Sequence, residues 1–502
     1  MNESLKKQNS KVNPEHYTRH PEVLKCIADL KNKFGENFEN LLVSDTLDDQ
    51  GHQYVNLVQK GGGVLGVALV GYTYILEQAG IRFLRLAGTS AGAINTAMLT
   101  VIGKKEDAKS EKILQYLCDL DFFNLVDGRP VIRWLIKTFI THKQFNKQVK
   151  QWFVGILLIL VGLTIADFVF LGLRHYYWAL IALRISYILT ALHLVFIGFI
   201  MFYSNHLFKA LREGGHGLNP GKYFYDWMEG VMEENNVSTV TQLREKAETV
   251  PNLTVRNPLK QNAKSLVGEV TFISSELASQ NKIEFPKMCE LFCEDPNDIH
   301  PASFVRASMS IPIFFKSHNI NKIPRKSEKL RNAWITHFGT DKNIPKKARF
   351  VDGGMMSDFP INIFYNPRIV EPRLPSFGID LDDAPPDNDI DNDGIDDSVD
   401  DDVIATSLGE YLGGLFNTIR YYYDKDFLIK NNVFKKGIGK IYLSEFNWLN
   451  FFVTEEEKIK MFVKGAQAAS DFLINFDWRA YQQGRIQMQL LFNEKNSDEN
   501  AK

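Results

Sequence analysis

Apolar residues recur at helical spacing over residues 21–42, where Val23, Leu24, Ile27, Leu30 and Phe34 share a face, and Asn, Asp and Gly near 44–51 break the run. The period then changes. Residues 54–58, Tyr-Val-Asn-Leu-Val, form a short β-prone run that stops at Lys60-Gly61-Gly62-Gly63. Residues 67–78 follow as an apolar helix closed by Gly80, residues 83–87 as a buried strand and residues 91–101 as the next helix. Two strand–turn–helix units in succession predict a mostly parallel sheet covered by helices. A charged helix near 104–117 comes next.

At Gln151 the pattern becomes continuous rather than periodic. Residues 152–173 carry Asp167 as their only charge, and residues 178–203 are interrupted only by Arg184 and His193. Each run exceeds the roughly 20 residues needed to cross a bilayer. Lys143, Lys147 and Lys150 precede the first run, Lys209 and Arg212 follow the second, and Arg174 marks the turn. The positive-inside rule therefore puts both outer ends in the cytoplasm. Counted outward from the turn, Asp167 and Arg184 lie at similar depth and are expected to pair, since a lone charge there costs about 3 kcal/mol. Snorkelling of Arg184 with a protonated Asp167, or a soluble apolar hairpin in a lid, are the competing readings.

Globular composition returns at Gly214. Residues 223–234 are amphipathic, 267–273 and 348–351 read as strands, 301–308 as a helix stopped before Pro312, and 374–381 as another strand. Residues 382–402 are dominated by aspartate. Asp389, Asp391, Asp393, Gly394, Asp397 and Asp400 fall at positions 1, 3, 5, 6, 9 and 12 of a calcium-loop pattern. No amphipathic helix precedes them, so a solvated acidic loop is the preferred reading and calcium the alternative. Residues 403–423 and 454–473 are helical by period, the latter opened by Thr454 with Glu457 as a capping box, and the last dozen residues are polar.

The chain has 502 residues and a net charge of -2, which gives no basis for a nucleic-acid partner. Its four cysteines are too scattered for a disulfide framework, and Cys289 and Cys293 lack a second pair for zinc. The first residues lack an apolar core, so no signal peptide is expected.

Candidate chemistry centres on Gly88-Thr89-Ser90-Ala91-Gly92, a Gly-x-Ser-x-Gly sequence at a strand-to-helix junction that projects a serine hydroxyl from a strained turn. The loop Gly61-Gly62-Gly63 opens a helix, so its N–H groups can face the oxygen that becomes negative when an ester carbonyl is attacked. With Gly66 the loop also satisfies Gly-x-Gly-x-x-Gly, which leaves a phosphate or dinucleotide cradle as a rival, although Gly88-Thr89 stands where a ribose-binding acid is expected. For the base, no histidine follows His337. An earlier histidine remains open, but Asp352, at a strand end before Gly353 and Gly354, is the better candidate: a carboxylate can take the serine proton directly if burial raises its proton affinity.

The Gly61-Gly62-Gly63-x-x-Gly66 loop, the Gly88-x-Ser90-x-Gly92 elbow and Val351-Asp352-Gly353-Gly354 resemble, in order, the three signatures of the patatin-like phospholipases. The segment from Val305 through Arg306, Ala307 and Ser308 to Ile311-Pro312 resembles a further stretch of that family, while Leu65 stands where the family commonly has Arg or Lys. The resemblance implies a three-layer α/β/α fold with a mostly parallel sheet. It implies Ser90 as nucleophile, Asp352 as base, Gly61, Gly62 and Gly63 as oxyanion donors, and lipid esters as substrate. No cofactor and no metal are called for.

The expected organisation is a polar segment and helix (1–50), the first part of the core (51–145), a transmembrane hairpin (146–213), the second part of the core (214–381), an acidic loop (382–402), a helical C-terminal part (403–486) and a polar tail (487–502). The expected protein is a two-span membrane lipid acyl hydrolase with its termini and catalytic part in the cytoplasm. An acyltransferase or a non-catalytic membrane adaptor are the alternatives, and no oligomeric state is indicated.

Overall fold

Residues 53–59 alternate between two faces, yet all are buried, as in a parallel strand covered on both sides. In the computed structural model, which describes residues 13–128, 130, 133, 136–137, 145–213, 215–256, 266–382 and 408–500, that run sits inside a large sheet. The strands in chain order are β1 (Thr46–Asp48), β2 (Gln53–Gln59), β3 (Ile81–Thr89), β4 (Gly217–Asn219), β5 (Leu253–Val255), β6 (Glu269–Glu276), β7 (Asn281–Phe285), β8 (Ile313–Phe315), β9 (His318–Asn321), β10 (Lys347–Asp352), β11 (Ser376–Asp382) and β12 (Ile438–Tyr442). The main path runs β12-β11-β2-β3-β6-β10-β9, with β1, β5 and β7 attached at its sides. From β12 to β6 every neighbour is parallel.

Helices cover both faces. Val58 and Ala87 pack against Phe359, Ile361 and Phe434, flanked by Phe427 and Met488. On the other face the Gln59 side chain is held by Asn95 and Thr96 of the helix Ala91–Val101. The Phe377 ring of β11 meets Phe472 of the helix Glu455–Asn475 at 4.8 Å. The expected three-layer α/β/α arrangement is thus present, and Thr454 and Glu457 form the expected capping box.

Two core helices touch backbone to backbone. A Cβ on Gly465 would overlap the Ala68 carbonyl of the helix Gly66–Gln78, and one on Gly71 would overlap the Phe462 carbonyl. Alanine is the better helix former by about 1 kcal/mol, but a backbone atom cannot swing aside, and overpacking costs about 1–3 kcal/mol. Gly465→Ala is therefore expected to lower the unfolding midpoint of the detergent-solubilised protein; an unchanged or higher midpoint contradicts the close approach.

Two elements differ from expectation at their ends. The charged helix begins at Ser110 rather than near 104, because Asp107 accepts from the Lys104 N–H and closes a turn there. The helix Trp478–Asn500 carries regular structure into the stretch expected as a polar tail, docked through buried Trp478 and Tyr481.

The chain divides into two compact units: Met1–Asp127, Gly221–Pro312 and Ser317–Lys502 form the first, Gly128–Pro220 and Ile313–Lys316 the second. The second unit holds the helices Phe145–Gly172 and Tyr177–Glu213 and a short parallel pair, β4 with β8. Within these helices Gln151–Gly172 and Tyr177–Asn205 are long and apolar enough to cross a membrane. The expected Asp167–Arg184 pair is not formed. Asp167 Oδ2 instead accepts from the Thr190 hydroxyl at 2.9 Å, while Arg184 is exposed. A hydroxyl on the facing helix reaches the carboxylate directly, so the longer guanidinium is not needed.

Candidate active site

The serine turn follows from close backbone approach. A Cβ on Gly88 would overlap the Gly92 carbonyl, and one on Gly92 the Gln59 carbonyl at the end of β2. Ser90 itself has φ 52° and ψ -117°, a conformation that costs a non-glycine residue about 1–3 kcal/mol. Its N–H donates to the Ser308 hydroxyl at 3.0 Å, and its carbonyl accepts the first helical bond from Ile94 N–H at 3.2 Å.

Asp352 arrives from the opposite direction. β10 is antiparallel to β6, and Asp352 lies level with Ser274, one residue beyond Ile273, the partner of Thr89 on β3. Two strands of opposite sense thus end at the same level on either side of β6. A Cβ on Gly353 would overlap the Ile273 carbonyl, so glycine lets the chain cross β6 toward Thr89. The Asp352 N–H donates to the Ser310 carbonyl at 2.9 Å, and Asp352 Oδ1 accepts from Gly354 N–H at 2.7 Å.

Burial pushes the Asp352 carboxyl up to about 7. The nearby Ser90 hydroxyl is the largest influence pulling it down, although it is not within hydrogen-bonding geometry and Asp352 Oδ2 is buried with no partner among the described residues; Asp358 pushes the carboxyl further up, and Gly354 N–H and Arg420 lower it. Ser90 and Asp352 are therefore brought together, with the carboxyl poised near neutrality.

The glycine loop divides its N–H groups. Gly61 N–H donates to the Asp358 carbonyl at 3.1 Å, and Val64 N–H to the Trp448 carbonyl at 3.0 Å. Among the described residues, the Gly62 and Gly63 N–H groups have no protein acceptor. Of the three N–H groups expected to face an oxyanion, Gly61 is therefore already engaged in holding the turn after Asp352, while those of Gly62 and Gly63 are unclaimed among the described residues. Gly63 has φ 56°, and a Cβ there would overlap the Trp448 carbonyl. Gly66 starts its helix in contact with Ala91, so this glycine serves helix packing.

An apolar cavity opens at Ser90, with an empty volume of about 630 Å³ including the solvent at its mouth. Gly63 and Gly66 border it, Val67, Val70, Ile94 and Met98 form one side, and Phe122, Phe224, Trp227 and Met309 close it. Asn95 is a polar residue in its lining, tied through Nδ2 to Gln59 Oε1 at 2.6 Å.

The histidines of the first unit that lie between Ser90 and Asp352 are His300, His318 and His337. His300 Nδ1 accepts from Ala302 N–H, His337 pairs with Glu290 at 3.5 Å, and burial beside Arg306 lowers His318 to about 4. Among the described residues no group of three or more His, Cys, Asp or Glu is placed to hold a metal. The calcium-loop residues Asp389, Asp391, Asp393, Asp397 and Asp400 lie outside the described residues.

Several residues at the site were not singled out for chemistry in the sequence. Ser308 and Ser310 hold the backbones of Ser90 and Asp352, and Arg306 donates to the Ser310 hydroxyl at 2.5 Å. Their signal was present in the motif from Val305 to Pro312, though without a role. Asp358, Arg420 and Asp424 gave no signal at all: a helix period says nothing about which turn its polar residues meet.

A three-layer α/β/α arrangement with a strained serine at the end of one strand and a buried aspartate at the end of another, the two separated by β6, defines an α/β fold carrying a serine turn. The family model for patatin-like phospholipases matches residues 57–365, more than half of the chain, and the protein belongs to that family. Protein YqhO of Bacillus subtilis (strain 168), described as uncharacterized, is 22% identical over 420 residues, covering 84% of this chain and 98% of its own. The crystal structure of VipD from Legionella pneumophila aligns over 87% of this chain and 70% of that one, with 12% identity and a TM-score of 0.32, too low to support a comparison of folds.

Proposed function

We propose that the protein is a membrane-anchored lipid acyl hydrolase with Ser90 as nucleophile and Asp352 as general base. The observation that carries this reading is the buried Asp352 carboxyl, raised to about 7 beside the Ser90 hydroxyl and with Oδ2 left without a partner among the described residues, where Ser90 also lines an apolar cavity. A carboxylate with that affinity accepts a proton from the serine as the oxygen attacks, and returns it readily.

The Ser90 oxygen bonds to the ester carbonyl carbon, its proton passes to Asp352, and the carbonyl oxygen takes the negative charge toward the Gly62 and Gly63 N–H groups. The carbon–oxygen bond to the lipid alcohol then breaks, and that alcohol leaves with the proton from Asp352. Water repeats the sequence on the acyl-serine: its proton goes to Asp352, its oxygen bonds to the carbonyl carbon, and Ser90 leaves, taking the proton back. The cavity receives the acyl chain. The apolar hairpin spans the bilayer, with the catalytic part and both termini in the cytoplasm by the distribution of flanking cations, so that enzyme and insoluble substrate share one surface.

The test uses membranes carrying the full-length protein, washed in alkaline carbonate, then solubilised in detergent and assayed on a panel of phospholipids and lysophospholipids with and without a competing alcohol. Release of free fatty acid from the washed membrane fraction is expected. Transfer to the alcohol in place of hydrolysis would favour an acyltransferase, activity washed into the supernatant would remove the membrane anchor, and failure of a fluorophosphonate to label Ser90 would favour an adaptor.

A further inference from the structure

The helix Leu408–Lys430 sends two side chains, one turn apart, to the segment that follows Asp352. Arg420 Nε donates to the Gly354 carbonyl at 2.7 Å, and a terminal nitrogen of the same guanidinium lies 3.0 Å from Asp358 Oδ1. Asp424 accepts from the Ser357 hydroxyl at 2.8 Å and from Phe359 N–H at 2.9 Å. From the other side the Thr89 hydroxyl, next to Ser90, donates to the Ser357 carbonyl at 3.0 Å. The turn after Asp352 is thus pinned between a helix and the strand that carries the serine. Asp352, Asp358 and Arg420 converge there, since a Cβ on Gly354 would crowd all three.

We propose that Arg420 is a positioning residue for the reaction: its guanidinium holds the Gly354 turn that carries Asp352 and neutralises Asp358 behind it. The proposal rests on the Ser90–Asp352 reading above. Two buried carboxyls near each other work against each other's ionisation, and a cation beside them favours the ionised form that a base requires. Burial raises both; Asp358 raises Asp352 and Arg420 lowers it, while Arg420 and Lys60 lower Asp358. The outer ring holds Lys60 on Asp380 at 2.6 Å, Tyr421 beside both cations, and Asp424, pushed up to about 6 by burial with Lys282 opposing. Arg420 is thus the cation that acts on both acids, whereas Lys60, paired with Asp380, acts on Asp358.

The experiment measures the rate at which a fluorophosphonate labels Ser90 in the detergent-solubilised full chain from about pH 5 to about pH 9, for wild type, Arg420→Gln, Arg420→Lys and Asp358→Asn. Labelling of wild type rises with pH as Asp352 ionises. Arg420→Gln removes a charge that lowers Asp352, so the rise moves up by about one pH unit and the rate at a pH on the rise falls about tenfold. Asp358→Asn removes a charge that raises Asp352, so the rise moves down. Arg420→Lys keeps the rise near its wild-type position.

General damage lowers the rate at every pH without moving the rise. Rises that stay in place, or move in the same direction in both neutral variants, overturn the role of Arg420. Where Arg420→Gln alone does not fold, the double variant Arg420→Gln/Asp358→Asn, which leaves Asp358 no charge to compensate, decides the matter: its rise is expected above that of Asp358→Asn, and a rise at the same pH overturns the role of Arg420. A wild-type profile with no rise would instead count against Asp352 as base, and would remove the proposal with it.

Discussion

Ser90→Ala is expected to lower lipid ester hydrolysis on the order of 10⁴-fold or more, or at least about 5 kcal/mol of transition-state stabilisation, with the protein still folded. The backbone bonds that place Ser90, its N–H to Ser308 and its carbonyl from Ile94, do not involve the hydroxyl. Truncation therefore removes the attacking oxygen without releasing the turn. Ser90→Gly is equally inactive but relieves φ 52°, so it is expected to raise stability by about 1 kcal/mol relative to Ser90→Ala. Turnover of fatty acid and thermal unfolding on the same preparations check both statements. Substantial activity in Ser90→Ala contradicts the nucleophile, and equal stability of the two variants contradicts the strain.

Asp352→Asn is expected to lower turnover about 10²–10⁴-fold, the contribution of a positioned general base. Asparagine keeps an oxygen for Gly354 N–H and leaves the backbone bond to Ser310 in place, so the loss is chemical rather than structural. The pH dependence has a fixed sign. Asp352 must be ionised to accept the serine proton, and its affinity is raised to about 7, so wild-type turnover rises through that pH and falls about tenfold per unit below it. The residual turnover of Asp352→Asn is expected to lose this rise. A retained rise near pH 7 in the variant would assign it to another group, such as Asp424, which burial brings to about 6.

The two expectations depend on different physical protections. Ser90 depends on a backbone held in a costly conformation, and Asp352 on a carboxyl kept from water. The segment Ala302–Ser308 and the residues just after it serve both, since Ser308 binds the Ser90 N–H and Ser310 the Asp352 N–H. Within that segment Arg306 is fully enclosed, donating to the Gly221 carbonyl at 3.1 Å and to the Ser310 hydroxyl.

What the sequence determined by itself was local or nearly so. The β-prone runs at 54–58 and 83–87, the glycines around Ser90, the Thr454–Glu457 cap and the two long apolar runs are encoded within a few residues of where they act, and all appear in the structure, the two runs inside the longer strands Gln53–Gln59 and Ile81–Thr89. Asp352 was legible for the same reason, as an aspartate at a strand end before two glycines. What only the tertiary structure decided involves groups that meet across large separations. That β10 runs antiparallel to β6, and so brings Asp352 level with Thr89, is a matter of register between segments with no common period. That the Gly61 N–H is already claimed depends on the Asp358 carbonyl, which lies far away in the chain. Asp167 finds Thr190 rather than Arg184 because rotation of one helix about its axis, not depth in the apolar run, chooses the facing residue. Arg420 reaches Gly354 and Asp358 from a helix whose apolar period carries no record of its partner. Periodicity reports which side of an element is buried; what that side touches is decided by how distant elements close the core together.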